Sequence, residues 1–488
     1  FKVKRGEDGL VDRYKARLVA QGFTQRAGID FREVFAPVAR MQTFRLLFNL
    51  AVLFDLPLWQ LDVDTAFLYG LLKETIYMKM PDGLAERLTE RYNAKHKTNC
   101  KPSDLVLKLR KCLYGLKQSG REWNETLDKV LSSLGFKRCK LEVCLYFLVR
   151  HGEFVLVAVY VDDIGVAASD DNAVWLHSGL SKRFSLKPLE PLHWTLGMRV
   201  RDVIEKRKRC VTVDQSQYAS KVLARFNMSD AKPQSTPMDS SLKLTSEMSP
   251  ESEDDKKTME AVPYREAVGC LMYLMCGTRP DLAFAVSAVS RFCSNPGAAH
   301  WAAVKRILRY LKGTVLMGLK FQKPDDFTSK VKLTGYVDAD WANNPEDRKS
   351  ISGFMFGLGS SPISWLSRRQ KSVALSTAEA EFVAASIATQ EALYLLNLMT
   401  EVGLEVTVPV LISEDNQACI RILHNPCLHT RAKHIDIRYH FVRDHVSNGT
   451  VAFPYCPSCD NCADVMTKAL PKELFAKFRD MMLSPVPK

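Results

Sequence analysis

Apolar side chains recur at helical spacing over residues 42–54, where Phe44, Leu47, Phe48 and Ala51 share one face. Pro57 closes that helix, and Leu58 to Val63 reads as a short strand. The apolar run Phe154 to Val161 ends on Asp162-Asp163 and resumes at Ile164-Gly-Val-Ala-Ala, the pattern of a hairpin with two aspartates at its tip. Residues 1 to about 235 are thus mixed α and β. Residues 246–258 are polar, acidic and poor in core formers, the clearest linker in the chain. A helical, basic stretch follows: Trp301 to Lys320 holds Lys305, Arg306, Arg309, Lys312 and Lys320 and no acid. A solvated helix face and a phosphate-contacting surface both fit such a run. Strand-like runs at 331–338, 352–357 and 372–375 come next, with Gly357 to Ser361 as a turn. Ser376-Thr-Ala-Glu379 is a capping box that opens a long Ala/Leu-rich helix to about Met399. A short apolar strand, Val408 to Ile412, leads into Asp415 and another helix.

Length and composition narrow the class. At 488 residues, 46% of them hydrophobic and 25% charged, the chain carries core material for about three domains. Collagen-like, disordered and coiled-coil readings fall away. The 68 Lys and Arg outnumber 55 Asp and Glu, a net charge of +13 that suits a polyanionic partner or a solubilising surface. Thirteen cysteines, an odd number scattered through a long chain, fit reduced intracellular thiols better than a disulfide scaffold. The run Phe154 to Val161 is far short of the roughly 20 apolar residues a spanning helix needs, and no signal peptide opens the chain, so no membrane partner is expected. Phe1-Lys2-Val3-Lys4-Arg5 lacks an initiator Met, so the chain reads as a piece of something longer.

The paired aspartates carry the first chemistry. Two adjacent acids at the end of a buried apolar strand repel and are partly desolvated, and two divalent cations are the simplest compensation. Trp59-Gln-Leu-Asp62-Val-Asp64 also places carboxylates after apolar residues, and Asp62 and Asp64 would share one strand face. Two Mg²⁺ ions roughly 4 Å apart, bridged by aspartates from two strands, would activate a 3′-hydroxyl and stabilise a leaving pyrophosphate. A plain hairpin tip is the other reading of Asp162-Asp163.

Several distinctive segments follow one another in a particular order. They are Arg13-Tyr-Lys-Ala-Arg-Leu-Val-Ala-Gln-Gly22, Phe31-Arg-Glu-Val-Phe-Ala-Pro-Val38, Leu61-Asp-Val-Asp-Thr-Ala-Phe-Leu-Tyr-Gly70, Leu113-Tyr-Gly-Leu-Lys-Gln-Ser119, Tyr160-Val-Asp-Asp163 and Leu196-Gly-Met198. Tyr264-Arg-Glu-Ala-Val-Gly269 and Thr278-Arg-Pro-Asp281 follow. The set resembles the reverse transcriptase and ribonuclease H of a copia-type LTR retrotransposon Pol polyprotein, from Phe1 almost to the C-terminus. The resemblance implies Asp62, Asp162 and Asp163 as the metal-binding polymerase triad. Because the family usually has Lys or another residue where Asp64 stands, it leaves Asp64 outside. It implies Phe67 beneath the nucleotide sugar, excluding a 2′-hydroxyl, where a core aromatic is the bland alternative. Lys15 and Arg17 would contact an incoming triphosphate, or lie on an exposed strand face. Gly115, Lys117 and Gln118 match the support of the template base and nucleotide. The family commonly continues with Pro-Arg-Ala-Trp, whereas this chain has Gly120-Arg-Glu-Trp123.

Four acids in the C-terminal third occupy structurally sensible places: Asp338 at a strand end, Glu381 early in the capped helix, Asp415 after the apolar strand and Asp464 at a helix start. They can converge on one sheet edge as a two-metal site, and they match the catalytic set of copia-type ribonuclease H. Asp340 and Glu379 are near neighbours outside that set, Glu379 being explained by the capping box. No histidine lies between Thr450 and Asp464, so a product-release His is not evident there. Lys433-His-Ile-Asp-Ile-Arg-Tyr-His-Phe-Val-Arg443 is a further match, either gripping the hybrid or an amphipathic, partly exposed helix. Cys456, Cys459 and Cys462, with His440 and His445 upstream, could form structural zinc or stay free thiols.

The expected fold class is α/β (α+β): a palm-and-fingers polymerase domain with a helical thumb or connection, then a ribonuclease H-like domain. The expected boundaries are 1–240 for fingers and palm, 241–330 for linker and thumb or connection, 331–475 for ribonuclease H and 476–488 for a tail. The family's polymerase normally begins further upstream, and its protease and integrase segments are not seen. The expected function is RNA-directed DNA polymerase with ribonuclease H, two Mg²⁺ (or Mn²⁺) ions per site; the alternative is an inactive relic that only binds nucleic acid. Expected partners are RNA template, DNA primer, RNA–DNA hybrid, dNTPs and other Pol or Gag-derived segments. The implied location is intracellular, in cytoplasmic virus-like particles with access to the nucleus. Lys305, Arg306, Arg309 and Lys312 are the candidate nucleic-acid contacts.

Overall fold

The computed structural model describes residues 2–5, 10–205, 207–424 and 433–486. They gather into two compact units that interleave along the chain: Phe1–Ala39 with Trp59–Glu190, and Arg40–Leu58 with Pro191–Lys488. Helix α1 (Met41–Leu53) therefore belongs to the second unit, and it is buried on every side from Thr43 to Leu53 rather than along the single face its spacing predicts. Arg45 on this helix is held chiefly by backbone carbonyls, and Glu391 also favours its charge. Its guanidinium donates to the carbonyls of Ile363, Cys276 and Gly277 and lies 3.9 Å over the Trp365 ring, and burial pulls its pKa down to about 9.

In the first unit, strand β1 (Leu58–Asp62) is followed by helix α2 (Ser119–Ser133), strands β2 (Leu145–Arg150), β3 (Glu153–Tyr160) and β4 (Asp163–Ala167), and helix α3 (Asp170–Ser181). The sheet runs β1-β4-β3-β2. Trp123, Leu127 and Leu131 recur every four residues on α2 and meet Val155, Val157 and Val159 of β3 and Leu176 and Leu180 of α3 in one core. Leu156 and Ala158, on the other face of β3, are buried as well, so the strand is apolar from Phe154 to Val159 because both faces are covered there.

The second unit adds an antiparallel meander, β5 (Met198–Glu205), β6 (Lys208–Asp214) and, later in the chain, β7 (Met317–Gln322). Between β6 and β7 lie helices α4 (Glu253–Glu260), α5 (Tyr264–Gly277) and α6 (Ala298–Gly313). Helix α4 occupies the expected linker. It buries no residue, and it forms because Ser252 caps the Asp255 N–H at 3.1 Å and three acids sit in its first turn. Asp281 receives a two-pronged ion pair from Arg279 and a 2.6 Å bond from the Tyr310 hydroxyl, all three groups buried. The basic stretch divides: Lys305, Arg306, Arg309 and Lys312 lie on α6, whereas Lys320 lies on β7 and pairs with Glu205 at 2.6 Å.

A five-stranded sheet completes this unit. Strands β8 (Leu333–Asp340), β9 (Ile351–Leu358) and β10 (Ser361–Arg369) are antiparallel. Helix α7 (Thr377–Glu401) precedes strand β11 (Val410–Ser413), helix α8 (Gln417–His424), helix α9 (Lys433–Ser447) and strand β12 (Val451–Ala452). Both β11 and β12 run parallel, in the sheet order β10-β9-β8-β11-β12. Helices α10 (Asp464–Thr467) and α11 (Lys472–Met482) follow, and a last short strand, Ser484–Pro485, pairs with β7. Two local expectations are corrected here. Residues 372–375 form no strand; the third antiparallel strand is Ser361–Arg369, which starts beside Pro362 and so hides its signal. The capping box is also shifted, since the Glu379 carboxylate accepts from Leu375 N–H at 2.8 Å rather than from Ser376. Helix α7 is long and apolar enough to cross a membrane, which uninterrupted apolar runs do not reveal. Most of it is buried within the unit, as a core helix is.

Candidate active sites

Strand β3 turns into β4 with Tyr160 facing Asp163, so the loop is Val161-Asp162 and Asp163 already stands on β4. The expected pair at the tip is thus one tip residue and one strand residue. Val161 takes a left-handed φ of 58°, a conformation a β-branched residue adopts only when its surroundings enforce it. Part of that enforcement is visible: the buried Trp123 indole N–H bonds the Val161 carbonyl at 2.8 Å. Asp62 ends β1, the neighbour of β4 in the sheet. Strand β1 stops there, so Asp64 does not share its face. The Asp64 amide and carboxylate instead face Ser185, at 2.9 and 3.3 Å. Lys187, which no motif singles out, places its ammonium on the Asp62 carboxylate.

Tyr114 gathers the neighbouring groups. Its ring lies 4.8 Å from that of Phe67 and 4.7 Å from the Arg17 guanidinium. Burial pushes its hydroxyl pKa up; Arg17 draws it down, and Asp162 and Asp62 raise it further. Phe67 and Arg17 therefore pack on one tyrosine, whose hydroxyl also feels the charges of Asp162 and Asp62. Gly115 makes this approach feasible: at φ 94°, any Cβ would fall 2.0 Å from the Ala20 carbonyl oxygen, and Tyr114 O accepts from Ala20 N–H at 2.7 Å. Lys117 and Gln118 face elsewhere. Lys117 donates to Gln25 and lies 4.7 Å over Phe31, while buried Gln118 ties Gln25, Asp30 and Glu74 together. Lys15 ends the two-stranded hairpin Lys2–Arg5 with Val11–Lys15, opposite Lys2.

The second constellation is built by strand register. Tyr336 of β8 pairs in parallel with Ser413 of β11, so Asp338 and Asp415, each two residues further on, stand side by side. Glu381 reaches them from the second turn of α7. Ligand oxygens of Asp338, Glu381 and Asp415 all lie within 4.8 Å of one another, and this is the only such cluster of His, Cys, Asp or Glu among the described residues. Helix α10 can approach because position 353, opposite Asp338, is glycine; a Cβ there would lie 2.6 Å from Met466 and 2.7 Å from Thr467. Asn461, fully buried, anchors the preceding turn on the Val337 carbonyl at 2.8 Å. Asp464 thereby comes to the rim of the cluster. Lys468 bridges it at 2.9 Å to Asp338 at 3.7 Å, and Thr467 donates to Asp338.

Crowding of acids shapes the electrostatics. Burial, then Glu414, Asp338 and Asp415, push the Glu381 carboxyl well above the usual range. Burial and Asp338 raise Asp464 to about 7, and burial raises Asp340 to about 6. Burial pulls Lys468 down, but Asp338 and Asp464 outweigh it and hold it firmly protonated. Glu414, which sequence reading passed over, is fully buried beside Asp415, and burial raises its pKa. Glu381 Oε2 is buried without a hydrogen-bond partner. An all-carboxylate set with an orphaned buried oxygen suits a hard divalent cation such as Mg²⁺ or Mn²⁺.

The remaining candidates scatter. Cys456, Cys459 and Cys462 are free thiols that join no metal-ligand cluster among the described residues, nor do His440 and His445. Ser458 of that loop instead donates to Asp415 at 2.5 Å. Of the 433–443 motif, the helix is present, but the side chains of 433–439 lie outside the described residues. On α6, Lys305 and Lys312 are exposed, whereas Arg306 engages Asp239 and Thr236, and Arg309 the Lys232 carbonyl. Lys187, Tyr114, Glu414 and Lys468 were missed by sequence reading; only Lys468 left a usable signal there, its i+4 spacing from Asp464.

Residues 1–240 match the family of reverse transcriptases (RNA-dependent DNA polymerases). The Pol polyprotein of tobacco (Nicotiana tabacum) transposon TNT 1-94 is 41% identical over 484 residues, covering 99% of this chain and 35% of that protein. The Pol polyprotein of Arabidopsis thaliana transposon RE1 is 38% identical, covering 98% of this chain and 31% of the relative. The chain thus spans about a third of the length of these relatives. A putative transposon Ty5-1 protein of Saccharomyces cerevisiae is 32% identical over 333 residues, 68% of this chain and all of that protein. Among solved structures, a foamy viral protease-reverse transcriptase with RNA/DNA hybrid aligns with a TM-score of 0.44 at 11% identity, covering 84% of this chain and 45% of its own. The ribonuclease H LC11-RNase H1 aligns at 0.22 and 15% identity, covering 30% and 96%. Sequence kinship over nearly the whole chain makes it a member of the copia-type retrotransposon Pol family, carrying that family's reverse transcriptase segment.

Proposed function

We propose that the chain is an RNA-directed DNA polymerase joined to a ribonuclease H, each half working through its own carboxylate site. The observation that carries this reading is the convergence of Asp338, Glu381 and Asp415 oxygens within 4.8 Å in one unit, while in the other Asp62 and Asp163 stand on neighbouring strands and Asp162 in the loop that leads into the second. Asp62, Asp162 and Asp163 would hold the divalent ions of the polymerase, and Asp338, Glu381, Asp415 and Asp464 those of the nuclease. Two Mg²⁺ or Mn²⁺ ions at each site would supply Lewis-acid activation of the attacking oxygen and stabilisation of the leaving one. The protein's own work is positioning. Trp123 holds the Val161-Asp162 loop, and Tyr114 gathers Phe67 and Arg17 where a deoxynucleotide and its triphosphate would lie. Lys117 and Gln118 act indirectly, by bracing the 25–31 segment, and Lys15 reaches the phosphates from its hairpin.

The substrates of this reading are RNA template, DNA primer, dNTPs and RNA–DNA hybrid, with Lys305, Arg309 and Lys312 of α6 contacting phosphates. We assign residues 1–240 to fingers and palm, 241–330 to thumb or connection, 331–475 to the nuclease and the remainder to its C-terminal extension. Work inside cytoplasmic virus-like particles, beside other Pol and Gag segments and with passage to the nucleus, fits this chemistry. The test is extension of a DNA primer on an RNA template with Mg²⁺ or Mn²⁺, with the fate of the RNA strand followed in the same reaction. Extension and RNA cleavage are expected; neither, from a folded protein that still binds hybrid, would establish the relic reading instead.

A further inference from the structure

We propose that Lys468 is a positioning residue that reserves Asp464, so that the metal-free nuclease site accepts one divalent cation at Asp338, Glu381 and Asp415, and the Asp464 position opens only when the phosphodiester of a bound hybrid draws the ammonium away. The inference rests on the nuclease reading above and adds an order to its assembly. The three acids converge within 4.8 Å, and Asp464 is not one of them. Lys468 bridges the two, its Nζ lying 2.9 Å from Asp464 and 3.7 Å from Asp338. Among the described residues, no other Lys, Arg or His side chain pairs with either acid.

The pairing is built in rather than incidental. Lys468 follows Asp464 by four residues, and its own N–H bonds the Asp464 carbonyl at 3.1 Å, so the side chain folds back over the turn that carries its partner. Gly353 and Asn461 hold that turn against β8, and Lys468 is only 34% exposed, which shields the pair from the solvent screening that weakens surface ion pairs. The ammonium lies closer to Asp464 than to Asp338, so a dication on Asp464 meets the stronger repulsion. A second cation must therefore displace Lys468, and the anion best placed to receive it is the phosphate being cut. Lys468 then moves from holding a ligand to neutralising substrate charge, with no bond made or broken.

The test counts Mn²⁺ bound to the full chain by electron paramagnetic resonance of the free ion. Asp162 and Asp163 are both changed to Asn in this background, so that the polymerase site does not contribute. One ion per chain is expected with Lys468, one with Lys468→Arg, and two with Lys468→Met or Lys468→Gln, the second binding on the order of tenfold tighter or more once the competing charge is gone. An uncleavable 2′-O-methyl-RNA/DNA duplex should raise the Lys468 protein from one ion to two. Two ions without nucleic acid in the Lys468 protein, or one in both neutral variants, overturns the proposal. If the neutral variants do not fold, one ion both with and without the duplex overturns it. A count unchanged by Asp338→Asn overturns the nuclease reading itself, whereas a count that falls with Asp338→Asn but ignores Lys468 overturns only this inference.

Discussion

The Phe67 ring packs on Tyr114 with centroids 4.8 Å apart and planes tilted by 52°, and the Arg17 guanidinium lies 4.7 Å from the same tyrosine ring. Phe67 is therefore held by an aromatic neighbour that also feels Asp62 and Asp162. Phe67→Val removes the bulk that would meet a 2′-hydroxyl. Discrimination against ribonucleotides should fall by about 10–200-fold, the span that a small change in pocket shape commands, with deoxynucleotide use little changed. Single-nucleotide incorporation assays with dNTP and rNTP check this; unchanged discrimination in an active variant would return Phe67 to a packing role.

Asp162→Asn keeps size and removes a charge from the hairpin loop. Primer extension should drop by on the order of a few hundredfold or more, since a metal ligand is worth several kcal/mol of transition-state stabilisation. Trp123→Phe, which loses the bond to the Val161 carbonyl and shrinks a buried ring packed on Tyr69 and Phe184, should lower extension by about fivefold or more, one hydrogen bond alone being worth roughly 1 kcal/mol. Both are read by steady-state extension, with circular dichroism as the folding control. Full activity of Asp162→Asn would remove the hairpin from the chemistry.

Asp338→Asn or Asp415→Asn should abolish RNA cleavage in a hybrid and leave primer extension largely intact, because these acids lie in a different compact unit from the polymerase aspartates. Asp162→Asn should do the reverse. Cleavage that survives Asp338→Asn sinks the nuclease assignment.

Acidity supplies a further expectation. The carboxyls of Glu381, Glu414, Asp415, Asp340 and Asp464 are all raised, Asp340 to about 6 and Asp464 to about 7, with burial the leading cause in each. Raised carboxyls bind more protons in the folded than in the unfolded state between roughly pH 4 and pH 7. With divalent ions chelated, stability should therefore fall as pH rises through that window. Mg²⁺ should restore it, more at pH 8 than at pH 5. Thermal melting with EDTA or Mg²⁺ across this range checks the sign; stability that rises with pH in EDTA contradicts it.

Helix α6 separates two kinds of basic residue. Lys305 and Lys312 are exposed, whereas Arg306 bonds Thr236 at 3.0 Å and pairs with Asp239 at 3.3 Å. Lys305→Ala with Lys312→Ala should weaken hybrid binding and reduce the slope of log K against log salt by about two. Arg306→Ala should instead lower stability. Binding measured across a salt series distinguishes them, and an unchanged slope in the double variant would make the helix a solvated face.

The chain's periodicities determine a good deal on their own. The 42–54 helix, the apolar strand ending at the aspartates, the capped helix from Ser376 and the strand before Asp415 all follow from local patterns, because each needs only its own residues to be specified. The ordered motifs and the family resemblance likewise single out Asp62, Asp162, Asp163, Asp338, Glu381, Asp415 and Asp464 as candidates. Tertiary structure decided what these acids meet. The strand at 361–369, the placement of α1 in the second unit, and the side-by-side Asp338 and Asp415 depend on pairing between segments far apart in sequence. So do Lys187 on Asp62, Tyr114 between Phe67 and Arg17, and Glu414 buried beside the acid cluster. A lone Lys, Tyr or Glu carries no periodic signal. Its role arises from the burial and the neighbouring charges that folding assembles around it, and those exist only in three dimensions.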